Sequence, residues 1–278
     1  MIKNIFLYVI IVVLLGLGLW WALSTKVPAN TPMPTPSVSV STTPTPVIPA
    51  ITITSPKDGD TVDSPITITG TARVFENQFT VQVKDSTDKI VATVHVFTDA
   101  KGMGLFGNYS VKIPIPVGAG TDFKIEALSY APKGDGSFEG YTSVLVKLKS
   151  TATANVSVAF IPIPVGNDCE IVKLFPRRIT KTSEVAYLSL YELLKGPTPA
   201  EKTLGASTQI PEGTQINSVR RNGDTIYADF NEMLEYQSGG SCHVQAIRSQ
   251  ITNTLKQFSG VNNVVISING RTEDILQP

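Results

Sequence analysis

Residues 51 to 150 alternate between apolar and polar positions in short runs, a period of two that is typical of half-buried β-strands. Turn-forming segments such as Pro56-Lys57-Asp58-Gly59 separate the runs. The seven runs read ITITS, PITITGTA, FTVQVKD, KIVATVHVF, YSVKIPI, DFKIEALSY and YTSVLVKLK. Seven strands in about 100 residues, with no helical period between them, predict a β-sandwich at 51–150.

From residue 155 onward, the pattern predicts strands alternating with helices. CEIVKLFP is typical of a strand, and apolar residues spaced by three and four predict a helix between Thr182 and Gly196. A hairpin with its turn at Asn222-Gly223 follows, then a helix over CHVQAIRSQITNTLKQF and a strand over NNVVISING. The order β-α-β-β-α-β predicts a small α+β domain at 155–278, with both helices on one face of its sheet. The Ser/Thr/Ala-rich link at 150–154 predicts some freedom between the two domains.

The N-terminal segment is uncharged from Ile5 to Leu23. At about 1.5 Å per residue, this stretch is long enough to cross a bilayer core of about 30 Å. It predicts a transmembrane helix within residues 1–23, and the alternative is a signal peptide cleaved near Ala22-Leu23-Ser24. Residues 24–50 hold seven prolines and predict an extended linker. We therefore expect a single-pass protein of the cell membrane, with its C-terminal domains outside the cytoplasm.

The charge balance argues against one class of partner. The chain has 23 Lys and Arg residues against 23 Asp and Glu residues, so its net charge is zero. A general nucleic-acid binder needs a basic surface to displace counterions from phosphates. We therefore expect no nucleic-acid partner.

Cys169 and Cys242 are the only cysteines in the sequence. Outside the cytoplasm, an even pair favours a disulfide. The alternative is two unpaired thiols. Adjacent residues on a helix do not face each other, so His243 is poorly placed as a base for Cys242, and a catalytic thiol is not expected.

The remaining candidate residues predict neither a metal site nor a catalytic site. The two histidines lie in different predicted domains and lack zinc-ligand spacing. The segment KDGDTVD is better explained as a turn than as a calcium loop, because its glycine comes too early. A glycoside hydrolase would need two carboxyl groups facing one cleft. The carboxylates considered for that role, and judged more typical of turns and caps, are Asp224, Asp229, Glu232 and Glu235.

Two arginine pairs are the remaining candidates for a binding surface. Arg177-Arg178 and Arg220-Arg221 suggest a surface for an anionic partner or a wall polymer. The alternative is that these side chains are simply solvated. No cofactor is expected.

The first domain resembles the immunoglobulin-like domain of bacterial spore germination over nearly all of residues 50 to 149. The resemblance rests on turn and strand residues that match together. They are Ser55-Pro56 through Gly59, Ser64-Pro65, Gly70-Thr71-Ala72, Val74-Phe75-Glu76 and the segment SYAPKGDGSF.

The second domain resembles the GerMN domain of sporulation and germination proteins, over roughly residues 160 to 270. The resemblance implies a compact α/β unit similar to ring-building motifs, which associate side by side in sporulation channel complexes. The residues that carry it are Val172 to Pro176, Glu192 to Thr198, Leu204, Ile210 to Thr214, Asp229-Phe230, Thr254 to Phe258 and Val264 to Ile266.

These observations favour a non-enzymatic, membrane-anchored envelope protein that binds other envelope proteins and associates with itself into rings. The alternative is a cell-wall protein that binds glycan or acts on peptidoglycan. The two tryptophans, Trp20 and Trp21, lie in the predicted anchor, so a glycan-binding platform would have to use Tyr or Phe.

Overall fold

The structure is a computed structural model, and it describes residues 48–163 and 168–277. The predicted anchor at 1–23 and most of the predicted linker lie outside these residues. Within the described part of the chain, no helix is both long and apolar enough to cross a bilayer.

The first domain contains two sheets of mostly antiparallel strands. Their strand orders are β1-β3-β6 and β2-β8-β7-β4-β5. All seven predicted runs form strands, and an eighth strand of three residues lies in the turn region, where it is too short to show alternation. The strands are β1 Ile51–Ser55, β2 Asp60–Val62, β3 Ile66–Ala72, β4 Gln78–Asp85, β5 Ile90–Phe97, β6 Gly107–Ile113, β7 Asp122–Tyr130 and β8 Phe138–Leu148.

The core of the sandwich lies between the inward-facing residues of the two sheets. Ile68, Val81 and Ile125 are fully buried there. Tyr109 packs edge-on against Phe79, with ring centroids 4.8 Å apart, and its hydroxyl donates to the carbonyl of Thr52 at 2.8 Å. Gly70 is required beside this contact, because a Cβ atom at that position would lie 1.9 Å from the Thr52 carbonyl oxygen. The alternation therefore supplies a continuous apolar core that stabilises the sandwich without a cross-link.

The second domain contains two three-stranded sheets, in the order β10-β9-β11 and β12-β13-β14. Three helices accompany them. The strands are β9 Thr153–Pro162, β10 Lys173–Thr180, β11 Ala206–Ser207, β12 Ile216–Asn222, β13 Thr225–Phe230 and β14 Asn263–Ile268, and the helices are α1 Val185–Leu194, α2 Pro199–Thr203 and α3 Ser241–Leu255.

Strand β9 is the main departure from the predicted β-α-β-β-α-β order. The sequence pattern predicts no strand of this domain before CEIVKLFP, yet β9 is the central strand of its sheet and pairs with both β10 and β11. Its residues from Val158 to Ile161 are all buried, so the run shows no alternation. A strand covered on both faces is continuously apolar, and this explains why a search for period two does not detect it. The two predicted main helices, the hairpin and the last strand are present, and the hairpin turn lies one residue later than predicted, at Gly223-Asp224.

The two domains are in direct contact, which limits the freedom predicted from the short link. β8 ends at Leu148 and β9 begins at Thr153, so few residues connect them. Lys112 of β6 forms an ion pair with Glu184, next to the start of α1. The hydroxyl of Thr180 donates to the carbonyl of Ile115 at 3.3 Å, and the Lys112 ammonium lies 5.3 Å from the centre of the Tyr187 ring.

Glu126 is a buried carboxylate on the outer face of the five-stranded sheet. It is 3% exposed and accepts hydrogen bonds from Gln82 at 2.6 Å and Tyr141 at 2.9 Å. Lys84 and Lys124 form ion pairs with it at 2.9 and 3.0 Å. Burial alone would raise the pKa of Glu126, but these hydrogen bonds outweigh burial and lower the pKa from 4.5 to about 2.

This network predicts acid-sensitive stability. The folded pKa of Glu126 lies below its ordinary value of 4.5, so the carboxylate contributes fully above that pH and the contribution is lost as the pH falls towards 2. In urea titrations, we expect the Glu126→Gln variant to be less stable at neutral pH, because Lys84 loses its acidic partner and Lys124 keeps only Asp88. We also expect its stability to change less between about pH 5 and about pH 2.5 than that of the unaltered protein.

The matched control is Asp63→Asn, which removes a mostly exposed carboxylate paired with Lys149 in the same domain. It should keep the acid dependence of the unaltered protein. Equal acid dependence in the Glu126 variant and the unaltered protein would contradict a stabilising role for this carboxylate.

Candidate functional site

A cleft with a volume of about 620 Å³ lies between the two domains. This volume falls in the range of about 300–1,000 Å³ that is typical of ligand pockets, which occur preferentially at domain interfaces. We call it the interdomain cleft. Its walls are residues 94–97 of β5, residues 110–112 of β6, the α1 side chains Tyr187, Tyr191 and Leu194 with the adjacent Lys195, and residues 214–217 at the start of β12.

Three sheet edges converge on the interdomain cleft. β5 is the last strand of the five-stranded sheet, and β6 is the last strand of the other sheet of the sandwich. β12 is a terminal strand of its own sheet. The free side of a terminal strand carries unpaired N–H and C=O groups, so a cleft between such strands offers backbone hydrogen bonds to a ligand.

Helix α1 divides its apolar side chains between two tasks. Leu190 and Leu193 are completely buried in the core of the second domain. Tyr187 and Tyr191, one helical turn apart, line the cleft, and Tyr187 is also buried in a second apolar cluster with Ile179. Burial raises the pKa of Tyr187 well above its usual range, so its hydroxyl stays protonated and donates to the Lys112 carbonyl at 3.5 Å. The sequence predicts a single apolar stripe here and does not separate these roles.

The cationic side chains of the cleft already have acidic partners. Lys112 pairs with Glu184, and Lys195 pairs with Glu192 at 2.6 Å. The Lys195 ammonium also lies 4.7 Å from the centre of the Tyr191 ring. The lining is otherwise mainly apolar or uncharged, so the cleft is better suited to an uncharged or apolar ligand segment than to an anion.

Cys169 and Cys242 form a disulfide in this structure, with their Cα atoms 5.2 Å apart. The bond links the segment before β10 to the first turn of α3 across 73 residues of sequence. In the chain-entropy description, closing such a loop stabilises the fold by about 4 kcal/mol. His243 contacts the Gln209 carbonyl at 2.8 Å.

Arg177 is not part of an exposed basic surface, and the prediction that groups it with Arg178 is wrong on this point. Its guanidinium forms a bidentate pair with Glu201, with Nη2 and Oε2 2.6 Å apart, and donates to the Gly196 carbonyl at 3.3 Å. Its side chain is 11% exposed. Burial lowers the pKa of Arg177, against the attraction of Glu192. Adjacent strand residues point to opposite faces, so Arg177 lies inside while Arg178 lies outside.

The other three arginines of the two predicted pairs are exposed and lie outside the lining of the cleft. Arg178 donates to the Thr153 hydroxyl at 3.1 Å. The Arg220 guanidinium stacks 4.0 Å from the centre of the Tyr227 ring, and Arg221 donates to the carbonyls of Gly223 and Ser259. Each arginine therefore has a local partner, and a shared anion-binding surface is not assembled at the cleft.

The carboxylates considered for hydrolysis hold loops and turns. Asp229 accepts hydrogen bonds from the Ser267 hydroxyl at 2.6 Å and the Gly270 amide at 2.8 Å. Burial alone would raise the pKa of Asp229, but these bonds outweigh burial and lower it. Asp58 accepts from the Leu145 amide at 2.8 Å, as expected for a structural turn. Within the residues described, no group of three or more His, Cys, Asp or Glu side chains is placed to hold a metal ion.

The two adjacent arginines give a matched pair of variants. Arg177→Ala leaves the buried Glu201 without its partner, so we expect the free energy of unfolding to fall by roughly 3 kcal/mol. Arg178→Ala removes an exposed side chain, and we expect a change within about 0.5 kcal/mol. Urea titrations of both variants measure this difference. Equal effects of the two substitutions would contradict the assignment of Arg177 to the interior.

Comparison with known protein families identifies both domains. Residues 160–274 match the family Germane, described as sporulation and spore germination. Residues 50–137 match Gmad2, the immunoglobulin-like domain of bacterial spore germination. No curated protein matches the chain.

Solved structures of GerMN domains are also similar to part of the chain. The first GerMN domain of the sporulation protein GerM from Bacillus subtilis is 24% identical, with a TM-score of 0.35, and the match covers 43% of this chain and 85% of that domain. For the tandem GerMN domains of the same protein, the identity is 23% and the TM-score 0.33, with coverage of 45% of this chain and 43% of the tandem. On the two family matches, this chain contains a GerMN (Germane) domain at residues 160–274, preceded by an immunoglobulin-like domain of bacterial spore germination at residues 50–137.

Proposed function

We propose that this chain is a non-enzymatic, membrane-anchored protein of the bacterial cell envelope, whose two folded domains bind other envelope proteins and associate with copies of themselves. The observation that carries the proposal is the presence of two consecutive domains that both match sporulation and germination families. A role in that process follows from the families. The anchor, the partners and the self-association are the proposed part.

The sequence and the disulfide support a position outside the cytoplasm. The uncharged stretch from Ile5 to Leu23 is long enough to span a bilayer, and the proline-rich segment that follows suits a spacer. Disulfides persist mainly in oxidising compartments, in keeping with the Cys169–Cys242 bond.

The environment of the carboxylates supports a role without catalysis. A glycoside hydrolase keeps one carboxylic acid protonated by raising its pKa. The hydrogen bonds of Asp229 and Glu232 lower the pKa of both groups instead. These carboxylates act as acceptors that hold backbone and amide groups in place.

Sheet edges of the GerMN domain are the proposed self-association surface. β14 is a terminal strand, and an uncovered edge can pair with another chain. β10 is also terminal, but it contains Pro176, which has no N–H to donate. We therefore propose that β14 makes the contact between copies.

Sedimentation of a soluble fragment, residues 48–278, over a range of concentrations tests this proposal, because these residues form one compact unit. We expect reversible self-association that is weakened by Val265→Lys, which places a charge on β14, and unchanged by Thr67→Lys on the exposed face of β3. A monomer at all concentrations would rule out autonomous self-association. Crosslinking in the envelope would then show whether the chain binds a different protein.

A second candidate function, glycan binding, is favoured by one specific observation. Tyr130, Phe138 and Tyr141 on the neighbouring strands β7 and β8 are 61%, 48% and 44% exposed. The ring centroids of Tyr130 and Phe138 are 5.0 Å apart, and those of Phe138 and Tyr141 are 5.3 Å apart. Exposed aromatic rings beside the polar network of Glu126 provide both apolar and hydrogen-bonding contacts of the kind that a sugar chain needs.

Cosedimentation with purified peptidoglycan tests this second candidate. If the aromatic surface binds glycan, the double substitution Tyr130→Ala and Phe138→Ala should abolish cosedimentation. Tyr236→Ala, which removes a tyrosine that is 55% exposed in the other domain, should leave it intact. Absence of cosedimentation for the unaltered protein would eliminate this candidate.

A further inference from the structure

We infer that the interdomain cleft binds an extended peptide segment of a protein partner, which adds as a new strand to the free edge of β5. The inference rests on the proposed protein-binding function and assigns that function a site and a ligand class.

The backbone of β5 provides the first part of the argument. On one side, β5 is paired with β4 in the register that places Val81 opposite Val94 and Phe79 opposite Val96. In an antiparallel edge strand, every second residue directs its N–H and C=O groups away from the neighbouring strand. Within residues 48–163 and 168–277, the backbone groups of residues 94–97 have hydrogen-bond partners on β4 alone.

The same fold covers another open edge, and the contrast is informative. β11 pairs only with the last two residues of β9 and leaves the rest of that edge free. Side chains from the C-terminal half of α3 and from the residues just after it cover this part of the β9 edge. The Ser157 amide donates to Gln257 at 2.7 Å, and the Ala159 amide donates to the Thr254 hydroxyl at 3.0 Å. Gln250 donates to the Ala159 carbonyl at 3.2 Å.

β5 has none of the usual protections of an edge where it lines the cleft. Residues 94–97 read VHVF and contain no lysine, proline or bulge. The one irregularity in its pairing lies at the other end of the strand, between Val83 and Lys84 of its partner. An extended peptide can therefore pair with residues 94–97 of β5 without breaking a backbone hydrogen bond of the described residues.

The walls of the cleft suit the side chains of such a peptide. Added strands gain affinity from backbone hydrogen bonds and specificity from pockets for alternate side chains. Phe97, Tyr191 and Ile216 provide apolar surface on three sides of the cleft. The acidic partners of Lys112 and Lys195 neutralise the cationic side chains. The expected ligand is a short strand with apolar residues at alternate positions.

Selection from a random decapeptide library on the immobilised fragment, residues 48–278, supplies a defined probe. We expect enriched peptides with alternating apolar residues, and we expect binding to weaken at least about tenfold in Phe97→Ala and Tyr191→Ala. Phe97 is 66% exposed, so its substitution leaves the core intact. The control is again Tyr236→Ala, which should bind as the unaltered protein does.

Methylation of the peptide backbone separates strand addition from other modes of binding. A peptide N-methylated at alternate residues should lose binding in one register and retain it in the other, because only every second N–H faces β5. Hydrogen exchange should slow at residues 94–97 on binding. Loss of binding in both registers or in neither would overturn strand addition.

Two further outcomes decide between this inference and its alternatives. If the library yields no enriched peptide while the fragment still self-associates in sedimentation, the peptide site is overturned and the proposed function stands. If peptidoglycan fragments displace the enriched peptides, and Phe97→Ala weakens the binding of those fragments, the cleft is a glycan site and the inference is overturned.

Discussion

The need of every terminal strand for hydrogen-bond partners shapes this molecule more than any single contact. Within the described residues, four sheets leave eight terminal strands. Two of these, β2 and β11, are only three and two residues long, and β10 contains a proline. The long terminal strands β5 and β6, together with the start of β12, meet at the interdomain cleft. Of the five other terminal strands, three therefore line the interdomain cleft, while β1 and β14 do not.

One carboxylate organises the crossover between β10 and the rest of the GerMN domain. Glu201 accepts hydrogen bonds from the Arg177 guanidinium of β10 and from the backbone amide of Thr198. The Thr198 hydroxyl accepts from the Glu201 amide and so caps α2. Arg177 also donates to the Gly196 carbonyl beyond the end of α1. One ion pair thus joins β10, the C-terminal end of α1 and the N-terminal end of α2. This gives a physical reason why residues 192–198 are among those that carry the resemblance to the GerMN domain.

The sequence predicts local structure well and tertiary roles poorly, for physical reasons that particular residues illustrate. The alternation in "FTVQVKD" and "KIVATVHVF" identifies two strands, because the period of two is a local property. The same alternation carries no information about which strand ends the sheet, so neither the edge of β5 nor the cleft is visible in it. β9 is missed because burial on both faces removes the alternation. Arg177 and Arg178 are identical letters in sequence, and only the pairing of β10 with β9 places one inside and one outside.

The disulfide also has a consequence for how the domain responds to proteolysis. The covalent loop closed by Cys169 and Cys242 contains β10, the helices α1 and α2, and the β12–β13 hairpin. A single cut anywhere in this loop leaves the two pieces joined through sulfur, with the core residues on both sides of the cut still connected. Release of a fragment requires a second cut or a reductant. The GerMN domain can thus be nicked in its exposed turns and remain one covalent body.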